Sequence, residues 1–161
     1  MFRLIAIIGL VAMLTVATAS TAAAARPDRE ALSGFGAFIM PAGAACGDFD
    51  VEYSELAFKQ VLTTWTKRDG SIVGRVTGRY QIRLTNLETG AWIRVSISGP
   101  LFIHVSPDGT FTTRGTGNWG NWIPGEHPFL TSGQMDPFAG GMEAVLGTLR
   151  GHWSDICEQL S

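Results

Sequence analysis

Three histidines are among the side chains of this 161-residue chain that could act as acid–base groups or metal ligands: His104, His127 and His152. Imidazole titrates near neutral pH and binds transition metals. None of the three belongs to an H-x-H or H-E-x-x-H motif, the spacings that bring two imidazoles to one ion. His152 and Asp155 are three residues apart, which places them on opposite faces of a strand. We therefore expect His104 to be a surface or lumen-facing side chain, and the sequence indicates no metal site.

A short tandem, Gly117-Asn118-Trp119 followed by Gly120-Asn121-Trp122, could bind a sugar. Aromatic rings stack on sugar rings, and amide groups hydrogen-bond to hydroxyls. On a strand, a spacing of three puts Trp119 and Trp122 on opposite faces, so one of them would lie in the core. Trp92 interrupts the polar face of its predicted strand and is a candidate exposed aromatic. The candidate ligand-binding residues are therefore Trp92, Trp119, Trp122 and His104.

Other motifs carry little chemistry. Residues 115–120 match G-x-G-x-x-G, but a dinucleotide loop needs a helix that begins within it. Asn121 to Gly125 follow instead, so we expect a glycine-rich β turn. Asp48, Asp50 and Glu52 share one predicted strand face and are interpreted as solvent-exposed rather than as a calcium or glycosidase site. Without a G-x-S-x-G elbow or a P-loop, the sequence indicates no cofactor, names no catalytic residue and favours a binding protein over an enzyme.

The first 25 residues have the three-part order of a secretory signal. Arg3 precedes an apolar run from Leu4 to Val16, and small residues continue to Ala25. Cleavage after Ala19 or after Ala25 fits the small-x-small rule, and we predict the second because a charged stretch begins at Arg26. An uncleaved anchor is the alternative, because the uncharged stretch is long enough to span a bilayer. We predict a signal peptide over 1–25, a leader arm over 26–45 and a single domain over 46–161. The protein would be secreted and would meet the membrane only through its signal before cleavage.

Charge and cysteine content limit the partners further. The chain has 12 basic and 14 acidic residues, and Arg3 leaves with the signal, so the mature domain is weakly acidic and no nucleic-acid partner is expected. Cys46 and Cys157 are the only cysteines. An even count in an exported domain favours a disulfide over a catalytic thiol or an incomplete zinc site. Such a bridge would tie the start of the domain to its end.

Strand patterns dominate the middle of the chain. The clearest period-two alternation places Tyr80, Ile82 and Leu84 on one face, and Ile93, Val95 and Ile97 repeat it after a turn over 86–90. Further turns are predicted over 67–70 and 106–109. Eight or nine short strands at this spacing predict an all-β fold, a single antiparallel β-barrel of about eight strands, with a β-sandwich as the alternative.

The two ends of the predicted domain are less regular. Residues 115–128 are predicted to form a loop, and 129–135, 144–149 and 152–156 are predicted strands. No segment has helical periodicity. The leader over 26–45 is either a flexible arm or an apolar segment that lies on the sheet. Its Phe35, Phe38 and Ile39 favour the second interpretation, because large apolar side chains avoid water.

Turn and cysteine landmarks occur in a characteristic order along the chain: Cys46-Gly47, Leu84-Thr85-Asn86-Leu87-Glu88-Thr89-Gly90, Ser98-Gly99-Pro100, Asp108-Gly109, Gly115-Thr116-Gly117, Leu130-Thr131-Ser132-Gly133 and Asp155-Ile156-Cys157. This order resembles a family of small secreted β proteins from high-GC Gram-positive (actinobacterial) bacteria. The resemblance covers Cys46 to Cys157, and two lysines against ten arginines agree with such a source. The family has no assigned activity, so the resemblance implies a fold and no catalytic residues.

Three functions follow from these patterns as expectations. The first is a secreted β-barrel that binds a small apolar or amphipathic ligand in its interior. The second is a carbohydrate- or surface-binding module that uses Trp92, Trp119 and Trp122. The third is a barrel enzyme with His104 or His152 in the lumen. The expected partners are therefore a small molecule or a carbohydrate.

Overall fold

Two long strands joined by a tight turn form the centre of the molecule. The computed structural model describes residues 26–123 and 126–161, so the predicted signal over 1–25 lies outside the described residues. β3 (Val51–Thr66) pairs antiparallel with β4 (Ile72–Asn86) along its whole length. The predicted turn over 67–70 joins them: Gly70 has φ +85°, and Asp69 Oδ1 accepts from the Ser71 backbone N–H at 2.9 Å. The Asp-Gly pair therefore forms the turn that the sequence predicts.

Seven further strands extend this hairpin into one antiparallel sheet. In chain order the elements are β1 (Asp28–Ala31), β2 (Ala37–Met40), β3, β4, β5 (Trp92–Ser96), β6 (Leu101–Val105), β7 (Phe111–Asn121), β8 (Phe129–Met135), α1 (Met142–Thr148), β9 (Arg150–Asp155) and α2 (Ile156–Leu160). The sheet order is β1-β3-β4-β6-β7-β8-β9, with β2 also paired to β3 and β5 also paired to β4. The prediction of an all-β antiparallel fold is confirmed.

The sheet is open. Within the described parts of the chain, β1 and β2 pair only with β3, and β9 pairs only with β8. A closed barrel is therefore not confirmed. α2 packs against β4 and β5, and the Asn86 side-chain amide donates to the Leu160 carbonyl at 3.0 Å. A helix, rather than a further strand pairing, thus covers this part of the core.

The central hairpin bends at Gly78. Its φ of +138° is a conformation that glycine adopts readily and other residues rarely adopt. A Cβ atom at this position would lie 1.9 Å from the Lys59 carbonyl oxygen. On the partner strand, the register shifts by one residue between Glu55 and Ala57. A bulge and a glycine on neighbouring strands increase curvature. The bend separates the half of the hairpin that pairs with β1 and β6 from the half that pairs with β2 and β5.

The main core lies under this second half. Its buried side chains come from alternate positions of β3, β4 and β5 and from α2, and they include Val51, Tyr53, Tyr80, Ile82, Leu84, Val95, Ile156 and Leu160. Cys46 and Cys157 form a disulfide within this cluster, with Cα atoms 5.4 Å apart. The predicted bridge is confirmed. A second, smaller cluster contains Phe129 and Met135 of β8 and Val145 of α1.

Two segments differ from their predictions. β7 runs to Asn121, so the predicted loop and glycine-rich turn over 115–128 are wrong across 115–121. Pairing with β8 and packing of Trp119 compensate for the weak strand propensity of glycine. The predicted strand over 144–149 is mostly helix α1, because Met142 to Leu146 are largely good helix formers and Val145 and Leu146 pack on β8. The expectation that the chain contains no helix is therefore wrong.

The leader segment is paired with the sheet. β1 and β2 both lie along the edge of β3, and Phe38 stacks on Tyr53 with ring centroids 4.5 Å apart. Phe35 and Ile39 remain exposed. At the other end, Asp155 caps α2 by accepting from the backbone N–H groups of Cys157 and Glu158. Across 26–123 and 126–161, none of the helices has both the length and the apolar character that crossing a membrane requires.

Candidate ligand-binding site

Two tyrosines face each other in the main core. Tyr53 lies on β3 and Tyr80 on β4, and the alternation that buries Val51 and Ile82 turns both phenols inward. Their hydroxyl groups form a hydrogen bond with each other. Phe58 meets the Tyr80 ring edge-on at 4.8 Å between centroids. The aromatic neighbours hold this polar pair inside an apolar wall.

Burial keeps both phenols protonated. Loss of hydration raises the pKa of Tyr53 well above its usual value, and the bond to Tyr80 and the charge of Glu55 raise it further. The pKa of Tyr80 is also raised, chiefly by burial and also by Glu55, although its bond to Tyr53 works in the opposite direction. The pair is therefore a neutral source of hydrogen-bond donors and acceptors at physiological pH, not a base or a nucleophile.

The tyrosines lie at the wall of a cavity of about 600 Å³. Aromatic side chains make up much of the lining, and the segment that follows β7 and the loop before α1 complete it. The lining residues are Phe35, Phe38, Tyr53, Tyr80, Ile97, Trp119, Gly120, Asn121, Trp122, Ile123, Pro137, Phe138, Gly140 and Gly141. No charged side chain belongs to this set. We call this cavity the aromatic pocket.

The structure brings two of the predicted tryptophans together here. Both are half-buried, so neither lies fully in the core as the strand spacing predicts for one of them. Trp119 packs against the smaller cluster, where a Cβ on Gly115 would lie 2.9 Å from its indole ring. Trp122 packs against the main core and meets Tyr53 edge-on at 6.1 Å. Its indole nitrogen is buried without a hydrogen-bond partner among the described residues.

The rim of the aromatic pocket exposes large apolar side chains. Phe35 is 73% exposed and Phe138 is 63% exposed, although both line the cavity. They come from opposite ends of the chain, from the leader segment and from the loop before α1. Exposed aromatics beside a concave apolar site are typical of ligand-binding surfaces.

The other predicted site residues lie elsewhere. Trp92 projects from β5 with 61% of its surface exposed, and it lines neither the aromatic pocket nor the second cavity described below. His104 is half-buried on β6, where it pairs with Val73 and Thr112. It lines neither cavity, so the candidates Trp92 and His104 do not join Trp119 and Trp122 in one site.

His127 contacts a carboxylate near the disulfide. Its Nδ1 lies 3.2 Å from Asp155 Oδ2, and the ring is largely exposed. Cys157 is the third member of the one cluster with metal-ligand spacing among residues 26–123 and 126–161. Its sulfur is bound to Cys46, so it offers no thiolate. Two ligands remain, too few for a structural metal site.

A second cavity of about 380 Å³ lies between β5, β8 and β9. Its lining is more polar than that of the aromatic pocket and includes Arg94, Asn118, Ser132, His152, Trp153 and Gln159. Trp119 belongs to the walls of both cavities. His152 is exposed on β9, whereas Asp155 is engaged with His127 and with the start of α2. His152 and Asp155 therefore form no acid–base pair.

Sequence reasoning missed several residues of the aromatic pocket. Tyr53 and Tyr80 fit the apolar alternation of their strands, which indicates an inward position but no ligand site. Their hydroxyl groups were the available signal, because a buried tyrosine needs a polar partner. Phe138 lies in a segment without periodicity, and only the fold brings it to Phe35.

Comparison with known proteins adds no relative. No protein-family model matches the chain, and neither the curated proteins nor the solved structures contain a match. The resemblance to small secreted actinobacterial proteins stays a prediction.

Proposed function

We propose that this is a secreted binding protein that holds a small, largely apolar molecule in the aromatic pocket. The observation that supports this proposal is the cavity of about 600 Å³ with its aromatic walls. Ligand sites in proteins have volumes of roughly 300–1,000 Å³ and combine apolar walls with a few polar groups. The aromatic pocket has both features. The ligand needs a concave face of the sheet, so the proposal holds with or without a closed barrel.

The walls indicate a neutral ligand with one hydrogen-bonding group. In the part of the chain that the structure describes, no lysine, arginine, aspartate or glutamate lines the aromatic pocket, so a charged ligand would lose hydration without an ion partner. The Tyr53–Tyr80 pair provides hydroxyl groups, and Trp122 carries an N–H without a partner. A carbonyl or hydroxyl on the ligand would satisfy such a group. The ligand we propose is therefore a ring-containing or branched apolar molecule with a carbonyl or hydroxyl.

Export is part of the same proposal. The Cys46–Cys157 bridge supports it, because disulfides persist in oxidising compartments outside the cytosol. The signal pattern over 1–25 supports it from the sequence. An extracellular binding protein meets apolar molecules that are dilute in water, and a preformed aromatic pocket would concentrate them.

A fluorescence titration tests the proposal. Phenylnaphthylamine is a neutral amine with a phenyl and a naphthyl group, and its emission rises in apolar surroundings. Anilinonaphthalene sulfonate adds a negative charge to the same rings. We expect the mature, disulfide-bonded protein to bind the neutral amine with one site per chain and more tightly than the sulfonate. The reason is that the pocket offers aromatic contact and no cation.

Phe138→Ala is the informative variant, and Phe111→Ala is its matched control. Phe111 is 55% exposed, similar to Phe138, but it lies outside the aromatic pocket. Loss of one aromatic contact should weaken binding of the neutral amine about ten-fold in Phe138→Ala and leave Phe111→Ala unchanged. Equal affinities of the two variants, or no binding by the native protein, would refute the proposed site.

A further inference from the structure

The outward face of β3, β4 and β5 carries an unusual set of side chains. Cross-strand register pairs Lys59 with Arg79, and Arg83 with Arg94. Paired residues project to the same side of a sheet. All four cations are exposed, whereas the neighbours Tyr80, Ile82 and Leu84 of β4 are buried on the other side. We call Lys59, Arg79, Arg83 and Arg94 the cationic face.

Two of these guanidinium groups meet on one neutral side chain. Arg79 Nη2 donates to Gln81 Oε1 at 2.7 Å, and Arg94 Nη2 donates to the same oxygen at 2.6 Å. The amide oxygen orients both groups without neutralising either. Two positive charges are thus fixed side by side, with further N–H donors free to point at a ligand.

Among the described residues, no carboxylate forms an ion pair with these cations. Across the described ranges, no Asp or Glu oxygen lies within 4.0 Å of a nitrogen of the cationic face. By register, Glu55 pairs with Ile82 and Glu52 pairs with Thr85, on either side of the Ser54–Arg83 row. The Glu55 carboxylate accepts from the Phe35 backbone N–H of the leader segment at 3.0 Å, and Glu52 forms no ion pair with the cationic face. The chain as a whole carries a net charge of −2, so the clustering runs against its overall balance. The face is therefore complementary to an anionic partner.

An aromatic ring lies at one end of the same face. Trp92 pairs with Thr85 and stands two residues before Arg94, so both side chains project outward from β5. Its indole is 61% exposed. A sheet face that combines guanidinium groups with one exposed ring can hold a carboxylate and stack on the sugar that bears it. Arginine binds carboxylates with two parallel hydrogen bonds.

We propose that the cationic face binds an acidic polysaccharide, a chain of sugars that bear carboxylates. Arg79 and Arg94 take one carboxylate beside Gln81, Arg83 and Lys59 extend the positive track along the sheet, and Trp92 stacks on a sugar ring. The site is on the opposite side of the sheet from the aromatic pocket and does not depend on a ligand there. It assigns Trp92 to an anionic sugar instead of to a joint site with Trp119 and Trp122.

Two polymers and one kind of lipid vesicle distinguish the possible partners in a binding titration with the mature, disulfide-bonded protein. Polygalacturonate presents carboxylated sugars, polyglutamate presents carboxylates without sugar rings, and vesicles of phosphatidylglycerol present an anionic lipid surface. We expect polygalacturonate to bind most tightly and to be released by salt, since exposed charges are screened. Equal binding of polyglutamate, or tighter binding of the vesicles, would overturn the polysaccharide assignment.

Variants locate the site. Arg79→Gln with Arg94→Gln should weaken polygalacturonate binding about ten-fold or more, because charge-assisted hydrogen bonds are lost. Arg68→Gln with Arg150→Gln is the matched control: both arginines are exposed, neither belongs to the cationic face, and the change in net charge is identical. A similar loss in the control would show that net charge alone governs binding and would overturn the site.

Trp92→Ala separates sugar stacking from charge. This variant should weaken polygalacturonate binding several-fold. It should not change the affinity for polyglutamate, because stacking on an indole needs a ring on the ligand. Unchanged melting temperatures of all these exposed variants would confirm that folding is intact. An equal effect of Trp92→Ala on both polymers would contradict the stacking role.

Discussion

The two faces of β3, β4 and β5 differ more than any two regions of the molecule, although they alternate along the same strands. Inward positions are mostly apolar or phenolic and buried, and outward positions are mostly cationic or polar and more exposed, with the indole of Trp92 among them. Within β4 the alternation changes with every residue from Arg79 to Asn86. Because side chains on a strand alternate, a shift of one residue would exchange the two surfaces completely.

This comparison teaches that stability and surface recognition use different residues of the same elements. The inward face buries its side chains against the disulfide and α2. The cations of the outward face are exposed and form no ion pair among the described residues, so we expect folding to depend little on them. Variants on the two faces should therefore fall into two classes. Inward changes should reduce the free energy of unfolding, and outward changes should alter binding and leave that free energy almost intact.

The largest expected effect on the inward face comes from the disulfide. Replacing Cys46 and Cys157 by Ser releases a bridge between residues separated by 111 positions. The unfolded chain gains entropy, and the free energy of unfolding should fall by about 4 kcal/mol. Urea denaturation of the double variant against the native protein measures it. A loss below about 1 kcal/mol would mean that the inward face is stable without its bridge.

A matched pair of neighbours on β4 tests the comparison most directly. Ile82 is fully buried and Arg83 is exposed. Ile82→Ala should lower the free energy of unfolding by roughly 3 kcal/mol, because it removes buried contacts and leaves a cavity. Arg83→Ala should change stability by less than about 0.5 kcal/mol. Similar losses for the two variants would show that the outward face also supports the fold.

The strands of this comparison are also the part of the fold that the sequence predicts well. Three predicted features are present: the alternation from Tyr80 to Leu84, the Asp69-Gly70 turn and the Cys46–Cys157 bridge. The first two depend on local sequence pattern, and the bridge depends on an oxidising compartment. When one face of a strand is buried, its period-two pattern permits only one pairing register. Little tertiary information is therefore needed to predict these strands.

The segment from 115 to 149 could not be predicted in the same way. β7 contains three glycines, and its strand conformation comes from pairing with β8. α1 is short, and its helical conformation depends on packing against β8. A local signal was available for α2: Asp155 and Glu158 have the spacing of a capping box, in which the first residue accepts from backbone N–H groups. The aromatic pocket joins residues as distant as Phe35 and Gly141, which only the fold brings together.

The tyrosine pair makes the inward face sensitive to alkaline pH. The pKa values of Tyr53 and Tyr80 are raised in the folded state above the usual value near 10. The unfolded chain therefore loses these protons first. The stability that the two phenols contribute is complete below about pH 10 and is lost as the pH rises above it.

Two measurements check this expectation. Tyr53 and Tyr80 are the only tyrosines, so ultraviolet phenolate absorption reports on them alone. In the native protein the absorption should rise at higher pH than in the urea-unfolded chain. The free energy of unfolding should fall above pH 10, and less steeply in the Tyr53→Phe, Tyr80→Phe double variant. Coincident folded and unfolded titrations would contradict the burial of this pair.

The smallest expected effect concerns repulsion on the outward face. Arg83 and Arg94 are directly opposite each other on β4 and β5, and like charges in that position repel. Arg83→Gln should therefore raise the free energy of unfolding slightly, by up to about 0.5 kcal/mol at low salt, and the gain should vanish at high salt. Arg150→Gln, on an exposed position of β9 outside the cationic face, is the control and should show no such dependence. If Arg83→Gln lowers stability at both salt concentrations, the guanidinium makes a stabilising contact. The outward face would then contribute to folding, contrary to the separation of roles between the two faces.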